Sequence, residues 1–198
     1  MRKTIKTLEE LEREDIYQAV KSFLKEDFLT LQVKTFELIE NYETEKTEIC
    51  CVFSDGGEKN KVIRGLGHGT LDALYHALLY HYKKETPSIE NITFEGFSVR
   101  PDWRTKTSSG SDAEVEVEIE FRNSMNSIVT FRNKGRSFVK AAVKGVFDAI
   151  EFYINAEIYF RKLKGLIAEA KGRNRSDLVQ SYVSRISEIV RVTSYEEV

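Results

Sequence analysis

GLGHGTLDA, at residues 65–73, places three alternate glycines directly before an amphipathic helix and determines how this sequence is divided into elements. A second stretch, NKGRSFV at residues 133–139, again places a glycine before a long apolar helix. Each of these crossings follows three short runs of alternating apolar residues, so residues 29–83 and 89–160 carry one pattern twice. Repeated units bury their apolar faces against each other. The sequence therefore predicts an α+β fold of two β-β-β-α repeats with pseudo-two-fold symmetry.

Alternation indicates the strands of the first repeat. Residues 28–39 form one extended run, residues 47–53 place Ile49, Cys51 and Phe53 on one face, and residues 59–64 form a third strand. The helix after the first crossing has one full apolar stripe: Leu71, Leu74, Tyr75, Leu78, Leu79 and Tyr82. We expect Thr70 to be its N-cap and Asp72 to lie in the first turn, where the helix dipole favours an anion.

The second repeat begins with a strand near residues 92–99 that is expected to stop at Pro101, followed by a mobile loop over residues 102–111. Residues 114–121 alternate glutamate with Val, Ile or Phe, which predicts a strand with a buried face and a solvated face. The returning strand, residues 127–134, places Arg132 and Lys134 opposite the glutamates, worth about 0.2–1 kcal/mol per pair.

The helix after the second crossing starts near Ser137 and continues for roughly 30 residues, or about 45 Å. Gly172-Arg173-Asn174 ends it, and a last helix follows with an apolar side from Leu178 to Val190. We expect the two helices to form a hairpin that docks on a partner subunit. The predicted organisation is an N-terminal helix at residues 1–27, the duplicated domain at 28–160, and a helical extension at 161–198.

Composition excludes several classes of function. The chain has 198 residues, of which 41% are hydrophobic and 31% charged, and its net charge of -2 argues against nucleic acid as a partner. No apolar run approaches the roughly 18 residues that span a bilayer, and no secretory signal is visible. Cys50 and Cys51 are neighbours that cannot easily bridge each other. We expect a cytoplasmic location and no membrane partner.

The residues show no catalytic or metal-binding signature. His68, His76 and His81 are the only histidines, and the last two lie five residues apart, on different sides of their helix. We expect no catalytic residue, no metal and no cofactor. The glycines of the first crossing leave two interpretations open. They point backbone N–H groups at an anion such as a carboxylate, or they form a tight strand-to-helix turn that needs positive φ.

Three motifs carry a resemblance to a known family. Residues 67–73 (GHGTLDA) resemble the G-x-G-P-V-D-A crossing of the C-terminal regulatory domain of α-isopropylmalate synthase and citramalate synthase. Residues 109–115 (SGSDAEV) resemble its G-G-x-D-A-x-x-x-V segment, and Gly135 to Asn155 resemble its last glycine turn and helix. The order and spacing match over roughly residues 28–156. Thr70 stands where the family has proline, and Ser137, Phe138 and Ala142 stand where it has an Asp-Ile pair and a serine.

The resemblance implies a non-catalytic regulatory and dimerisation domain, like the leucine-feedback domain of 2-isopropylmalate synthase in leucine and branched-chain amino acid biosynthesis. The family's catalytic part is a preceding barrel with a divalent metal, for which these residues have no room and no H-x-H pair. It therefore implies a stand-alone regulatory chain that is not an enzyme. The implied partners are a second copy in a homodimer, a branched-chain amino acid effector, and a separate synthase subunit.

Carried over residue by residue, the implied ligand-binding residues are Gly67, Gly69, Thr70, Asp72, Ala73, Asp112, Ala113, Gly135 and Ser137. The effector's carboxylate is expected to meet backbone N–H groups at either crossing, with its apolar side chain between the repeats. Two hypotheses remain open: a sensing module, or a scaffold that kept the fold, lost the ligand and acts through partner association.

Overall fold

The structure is a computed structural model that describes residues 8–57, 59–105 and 113–190, with side chains described from residue 13 onward. The first repeat and its leading helix comprise α1 (Leu8–Leu24), β1 (Gln32–Asn41), β2 (Lys46–Ser54), β3 (Lys61–Gly67) and α2 (Thr70–Tyr82). A short 3-10 turn, Pro87–Asn91, leads into β4 (Thr93–Asp102), β5 (Glu114–Arg122), β6 (Ile128–Gly135), α3 (Phe138–Gly172) and α4 (Ser176–Val190).

The two predicted β-β-β-α repeats are confirmed. Each repeat forms its own three-stranded antiparallel sheet, in the order β1-β2-β3 and β4-β5-β6, followed by one helix. In β2 the predicted face of Ile49, Cys51 and Phe53 is buried. The apolar stripe of α2 is also buried, apart from a half-buried Leu79.

Both repeats share a single hydrophobic core. Phe53 of the first sheet lies against Phe147 of α3, with ring centroids 5.3 Å apart, and Tyr75 of α2 lies 5.6 Å from Phe121 of the second sheet. Each helix therefore packs on the sheet of the other repeat as well as on its own. The interface between the repeats is filled by these aromatic side chains, which are among the largest contributors to burial.

The helix α3 is buried on nearly all sides between residues 141 and 160, where only Lys144 is exposed. It is 35 residues long. Its far end packs in a second cluster with α1 and α4, formed by Val20, Leu24, Ala156, Tyr159, Phe160, Leu163 and Ile189. The α3–α4 hairpin is therefore as predicted, and it closes on the N-terminal helix. The proposed domain boundary at residue 160 falls inside α3.

Two local predictions near the first crossing are wrong. Gly69, not Thr70, is the N-cap of α2, and Thr70 is the first helical residue. The strand β3 continues to Gly67 instead of ending near Arg64, so two of the crossing's glycines belong to the strand. The strand extends because Gly65 and Gly67 keep their pairing with Ile49 and Thr47 of β2.

The glutamate row of β5 is not simply solvated. Glu118 is only 7% exposed, because Arg132 Nε donates to its carboxylate at 2.7 Å and Arg100 lies at 3.4 Å on the other side. The long arginine side chains cover the acid while keeping their own charged ends wet. The predicted cross-strand pairing is confirmed by this contact and by Lys134 to Glu116 at 2.8 Å.

The strand β4 runs past Pro101 to Asp102 and contains a bulge between Phe94 and Gly96. The extra residue puts Phe94 and Phe97, three positions apart, on the same side of the sheet, opposite Phe121 and Ile119. Of the predicted loop at 102–111, residues Trp103–Thr105 form a 3-10 turn. Residues 106–112 lie outside the described part of the chain.

Candidate functional site

The first crossing is a close approach of strand β3 to the first turn of α2. A Cβ atom at Gly65 would lie 2.2 Å from the carbonyl oxygen of Ala73, and one at Gly67 would lie 2.7 Å from the Ala73 nitrogen. A Cβ at Gly69 would meet nothing within 4 Å, and the φ angle of Gly69 is −173°, which any residue adopts. Gly65 and Gly67 are needed for space, and none of the three glycines has a positive φ, so the interpretation as a turn with positive φ is wrong.

The carboxylate of Asp72 lies within this crossing. Its Oδ2 accepts a hydrogen bond from the His68 N–H at 3.1 Å, and its Oδ1 lies 3.2 Å from His76 Nε2. The first helical hydrogen bond runs from Ala73 N to Gly69 O at 2.9 Å, so the N–H groups of Thr70–Asp72 precede it. With Gly69 as the cap, no side chain accepts from these groups.

The second crossing differs because its helix is capped. The hydroxyl oxygen of Ser137 accepts a hydrogen bond from the Lys140 N–H at 3.3 Å. Gly135 ends β6 opposite Val115, and Ala113, 8% exposed, stands just before β5 at the same end of the sheet. The structure thus groups Ala113, Gly135 and Ser137 at one crossing. It groups Gly67, Gly69, Thr70, Asp72 and Ala73 at the other, while Asp112 lies outside the described residues.

Two buried polar side chains on α3 had no predicted role. Asn155, 1% exposed, accepts from the Leu29 N–H and donates to the Leu29 carbonyl, both at 2.8 Å, and also donates to the Glu151 carbonyl at 2.9 Å. Glu151 accepts from the Leu31 N–H at 2.7 Å and the Tyr17 hydroxyl at 2.9 Å. The pair clamps the segment between α1 and β1 onto the core helix. The sequence signal was two polar residues at i and i+4 within an apolar stripe.

A third acid on α3 holds the linker between the repeats. Glu157, 5% exposed, accepts from both the N–H and the hydroxyl of Ser88, at 3.1 and 2.6 Å, and pairs with Arg161. Buried polar groups of this kind are costly when they are left without a partner. The three residues therefore fix the two chain segments that enter the repeats.

Burial raises the pKa of Glu151 above its ordinary value of 4.5, although hydrogen bonds from Leu31 and Tyr17 act in the opposite direction. A carboxyl with a raised pKa in the folded state contributes stability below its unfolded pKa and loses it as the pH rises through the folded pKa. The raised pKa of Glu151 therefore makes its contribution to folding less favourable at neutral pH than in acid.

The variant Glu151→Gln should show this pH dependence. An amide keeps one acceptor for the Leu31 N–H but cannot ionise, so the unfolding free energy of the variant relative to wild type should rise between about pH 4 and about pH 8. Urea unfolding at both pH values measures the difference. The matched control is Glu169→Gln, which changes an exposed acid on the same helix. A constant difference across the range would contradict the raised pKa.

Potential metal ligands are scattered over the described residues, and one of the two cysteines is buried. Within them, no group of three His, Cys, Asp or Glu side chains could hold a metal ion. Burial raises the pKa of the Cys51 thiol to about 12, so at neutral pH it is a protonated core residue and a weak nucleophile. None of the described helices is both long and apolar enough to cross a membrane.

The chain is thus a duplicated β-β-β-α unit with a shared core, a close glycine crossing and polar side chains that hold chain segments. Over residues 10–154 the chain matches the family described as the LeuA allosteric (dimerisation) domain. The match covers most of the chain, and the chain belongs to this family. It is a regulatory domain of the LeuA type, which is not itself catalytic. The chain has no match among curated proteins.

Proposed function

We propose that this chain is a regulatory dimerisation module that senses a branched-chain amino acid at the first crossing and passes the signal to a synthase, including one on a separate subunit. The observation that supports the proposal most is the start of α2. The N–H groups of residues 70–72 face the helix N-terminus without a side-chain cap, which is a favourable place for a carboxylate.

The charges around this crossing suit a zwitterion. The N–H groups at the start of α2 would hold the carboxylate, and Asp72, half-buried beside them, would take the ammonium group. The second crossing offers less, because the Ser137 hydroxyl already caps α3. The other residues of the proposed site would line the two crossings. They are Gly67, Gly69, Thr70 and Ala73 at the first crossing and Asp112, Ala113, Gly135 and Ser137 at the second.

Sensing is tested by isothermal titration of leucine, isoleucine and valine into the full chain. We expect binding to the wild-type chain and at least about tenfold weaker binding to Asp72→Asn, because the ammonium group loses a charged partner. The control is Asp27→Asn, which removes an exposed acid paired with Lys162 instead. Absence of heat with all three amino acids would remove the sensing proposal.

The second candidate is a scaffold of the same fold without a ligand. It is favoured by the repeat interface, where Phe53, Tyr75, Phe121 and Phe147 fill the space that an effector side chain would need. In this case function lies in self-association, and the titration shows no amino acid binding while the chain still dimerises.

The dimer surface that we propose lies on the edge strands. Phe97 and Val99 of β4 face the same side as Ile119 and Val117, which are 0% and 1% exposed, yet Phe97 itself is 54% exposed. Leu38 of β1 occupies the corresponding place beside Ile49. On each sheet, the face that packs on the core therefore continues past the area that the helices of this chain cover. A second copy of the chain would cover the rest of that face.

The variant Phe97→Asp should shift the chain from dimer to monomer, because a carboxylate in an apolar interface loses its hydration. Met125→Asp is the control, since Met125 is equally exposed but lies in the β5–β6 turn. Sedimentation equilibrium measures both masses. A Phe97→Asp chain that remains dimeric at the wild-type concentration range would exclude this surface.

A further inference from the structure

The helical hairpin of α3 and α4 extends beyond the residues that the family match covers. The match ends at residue 154, whereas α3 continues to Gly172 and α4 to Val190. A groove of about 450 Å³ lies at the end of this hairpin, within the range of about 300–1,000 Å³ that binding pockets have. This hairpin groove is lined by Lys171 of α3, by residues 174–176, and by Val179, Gln180 and Val183 of α4.

The apolar part of the hairpin groove is a strip of α4 that α3 leaves uncovered. One side of α4 packs in the second cluster, where Ile189 is buried and Tyr182 and Ile186 are half-buried. Val179 and Val183 lie one helical turn apart at the edge of that side. Val179 is half-buried, and Val183 is 47% exposed. The apolar side of α4 is therefore wider than the area that α3 covers.

The charges around the hairpin groove are mostly positive. Residues 171–183 contain three basic side chains, Lys171, Arg173 and Arg175, and one acidic side chain, Asp177. Arg175 donates to both oxygens of Asp177, at 2.9 and 2.6 Å, so these two charges offset each other. Among the described residues, no ion pair involves Lys171 or Arg173. Glu169 is two positions from Lys171 and therefore faces another side of α3.

The shape and the charge of the hairpin groove favour one kind of occupant. Val179 and Val183 form a ridge of residues four positions apart, which packs into the groove between the side chains of another helix. Carboxylates on the rim of that helix would meet Lys171 and Arg173, whereas a basic helix would meet like charge. Single-stranded nucleic acid is also negative, but it binds largely by stacking its bases on aromatic side chains. None of the residues that line the hairpin groove is aromatic.

We propose that the hairpin groove docks an acidic amphipathic helix of another protein, as a third helix beside α3 and α4. The apolar face of that helix covers Val179 and Val183, and its carboxylates pair with Lys171 and Arg173. The site lies outside the residues of the family match. It therefore goes beyond amino acid sensing and self-association, and its failure would leave both proposals unchanged.

Fluorescence anisotropy of labelled probes with the full chain tests the docking site. The first probe is a helix-forming peptide of about 15 residues, with leucine on one face and glutamate and alanine elsewhere. The second peptide has serine in place of leucine, the third has lysine in place of glutamate, and the fourth probe is a single-stranded polyuridine RNA of similar length. We expect the first peptide to bind and each of the others to bind at least about tenfold more weakly, because each lacks the apolar face or the negative charge.

Variants of the chain locate the binding of the first peptide. The double variant Lys171→Gln, Arg173→Gln should weaken it by about tenfold or more, because two charged contacts are lost. Val183→Ser should weaken it by about fivefold or more. The matched controls are Lys140→Gln, an exposed lysine near the other end of α3, and Val62→Ser, an exposed valine of β3. Both controls should bind like wild type, and circular dichroism checks that each variant keeps its helices.

Several results would overturn the docking site. Equal binding of the serine peptide or of the RNA would show recognition of negative charge alone, and equal binding of the lysine peptide would show recognition of the apolar face alone. Binding of the first peptide that neither folded variant weakens would place it elsewhere on the chain. Absence of binding by the first peptide would exclude the site, and this comparison of probes on the wild-type chain requires no variant.

Discussion

Replacing Asn155 with alanine is expected to lower the free energy of unfolding by about 3–5 kcal/mol, since the change removes three hydrogen bonds and leaves the part-buried N–H and carbonyl of Leu29 without these partners. The amide of Asn155 pairs with Leu29 in both directions, as a neighbouring strand would. Without it, the hydrogen bond from the Leu31 N–H to Glu151 is the one that still ties the described segment from residue 28 to 31 to α3. The expected loss is therefore a large part of the stability of a small domain.

Urea unfolding followed by circular dichroism measures this loss. The control is Glu169→Ala, which truncates an exposed side chain on the same helix and should stay within about 0.5 kcal/mol of wild type. If Asn155→Ala matched the control, the hydrogen bonds to Leu29 would contribute nothing to folding and the clamp would be excluded.

The second large effect is expected at Gly65. Alanine there would place its Cβ 2.2 Å from the Ala73 carbonyl oxygen and 3.1 Å from the Ala77 Cβ. Because the first obstacle is backbone, β3 or α2 must move, and we expect a loss of about 3 kcal/mol, the upper part of the range for overpacking. The same displacement would disturb Asp72, so the variant should lose affinity for the effector at the first crossing as well as stability.

The matched control for this change is Gly165→Ala in the exposed part of α3, where a Cβ would meet nothing within 4 Å. Alanine there should raise stability by about 0.5–1 kcal/mol, since glycine is the weaker helix former. If space at the crossing determines the outcome, thermal unfolding should show that Gly65→Ala is less stable than wild type and that Gly165→Ala is more stable. A Gly65→Ala chain as stable as wild type would show that β3 and α2 are not in close contact.

The repeats could be predicted from sequence because their signals are local. Alternation with a period of two and apolar stripes with helical spacing depend on one element at a time, and the positions of Ile49, Leu74 and Phe131 follow from them directly. The family resemblance was also visible, since each of its motifs is a run of residues close together in the sequence and the three occur in a fixed order.

The structural features that the sequence did not predict depend on contacts between residues far apart along the chain. Glu118 is buried only because Arg100 and Arg132 arrive from both neighbouring strands, and no pattern within β5 shows this. The roles of Glu151 and Asn155 need Leu29 and Leu31, more than 100 residues away along the chain. The bulge that brings Phe94 and Phe97 to one side also lies outside a period-two pattern.

For the candidate site, sequence reasoning located the first crossing but not its chemistry. The glycines pointed to either an anion site or a turn with positive φ, and the structure shows a third reason, which is the approach of β3 to Ala73. The N-cap moved by one residue to Gly69, which leaves the helix start without a side-chain cap.

The claim that this chain is a regulatory dimerisation domain is tested most directly by its mass in solution. Sedimentation equilibrium of the wild-type chain at micromolar concentration, with and without leucine, should give twice the 22.9 kDa mass of one chain. A mass of one chain at every concentration, unchanged by leucine, would contradict the assignment of a self-associating module on this fold.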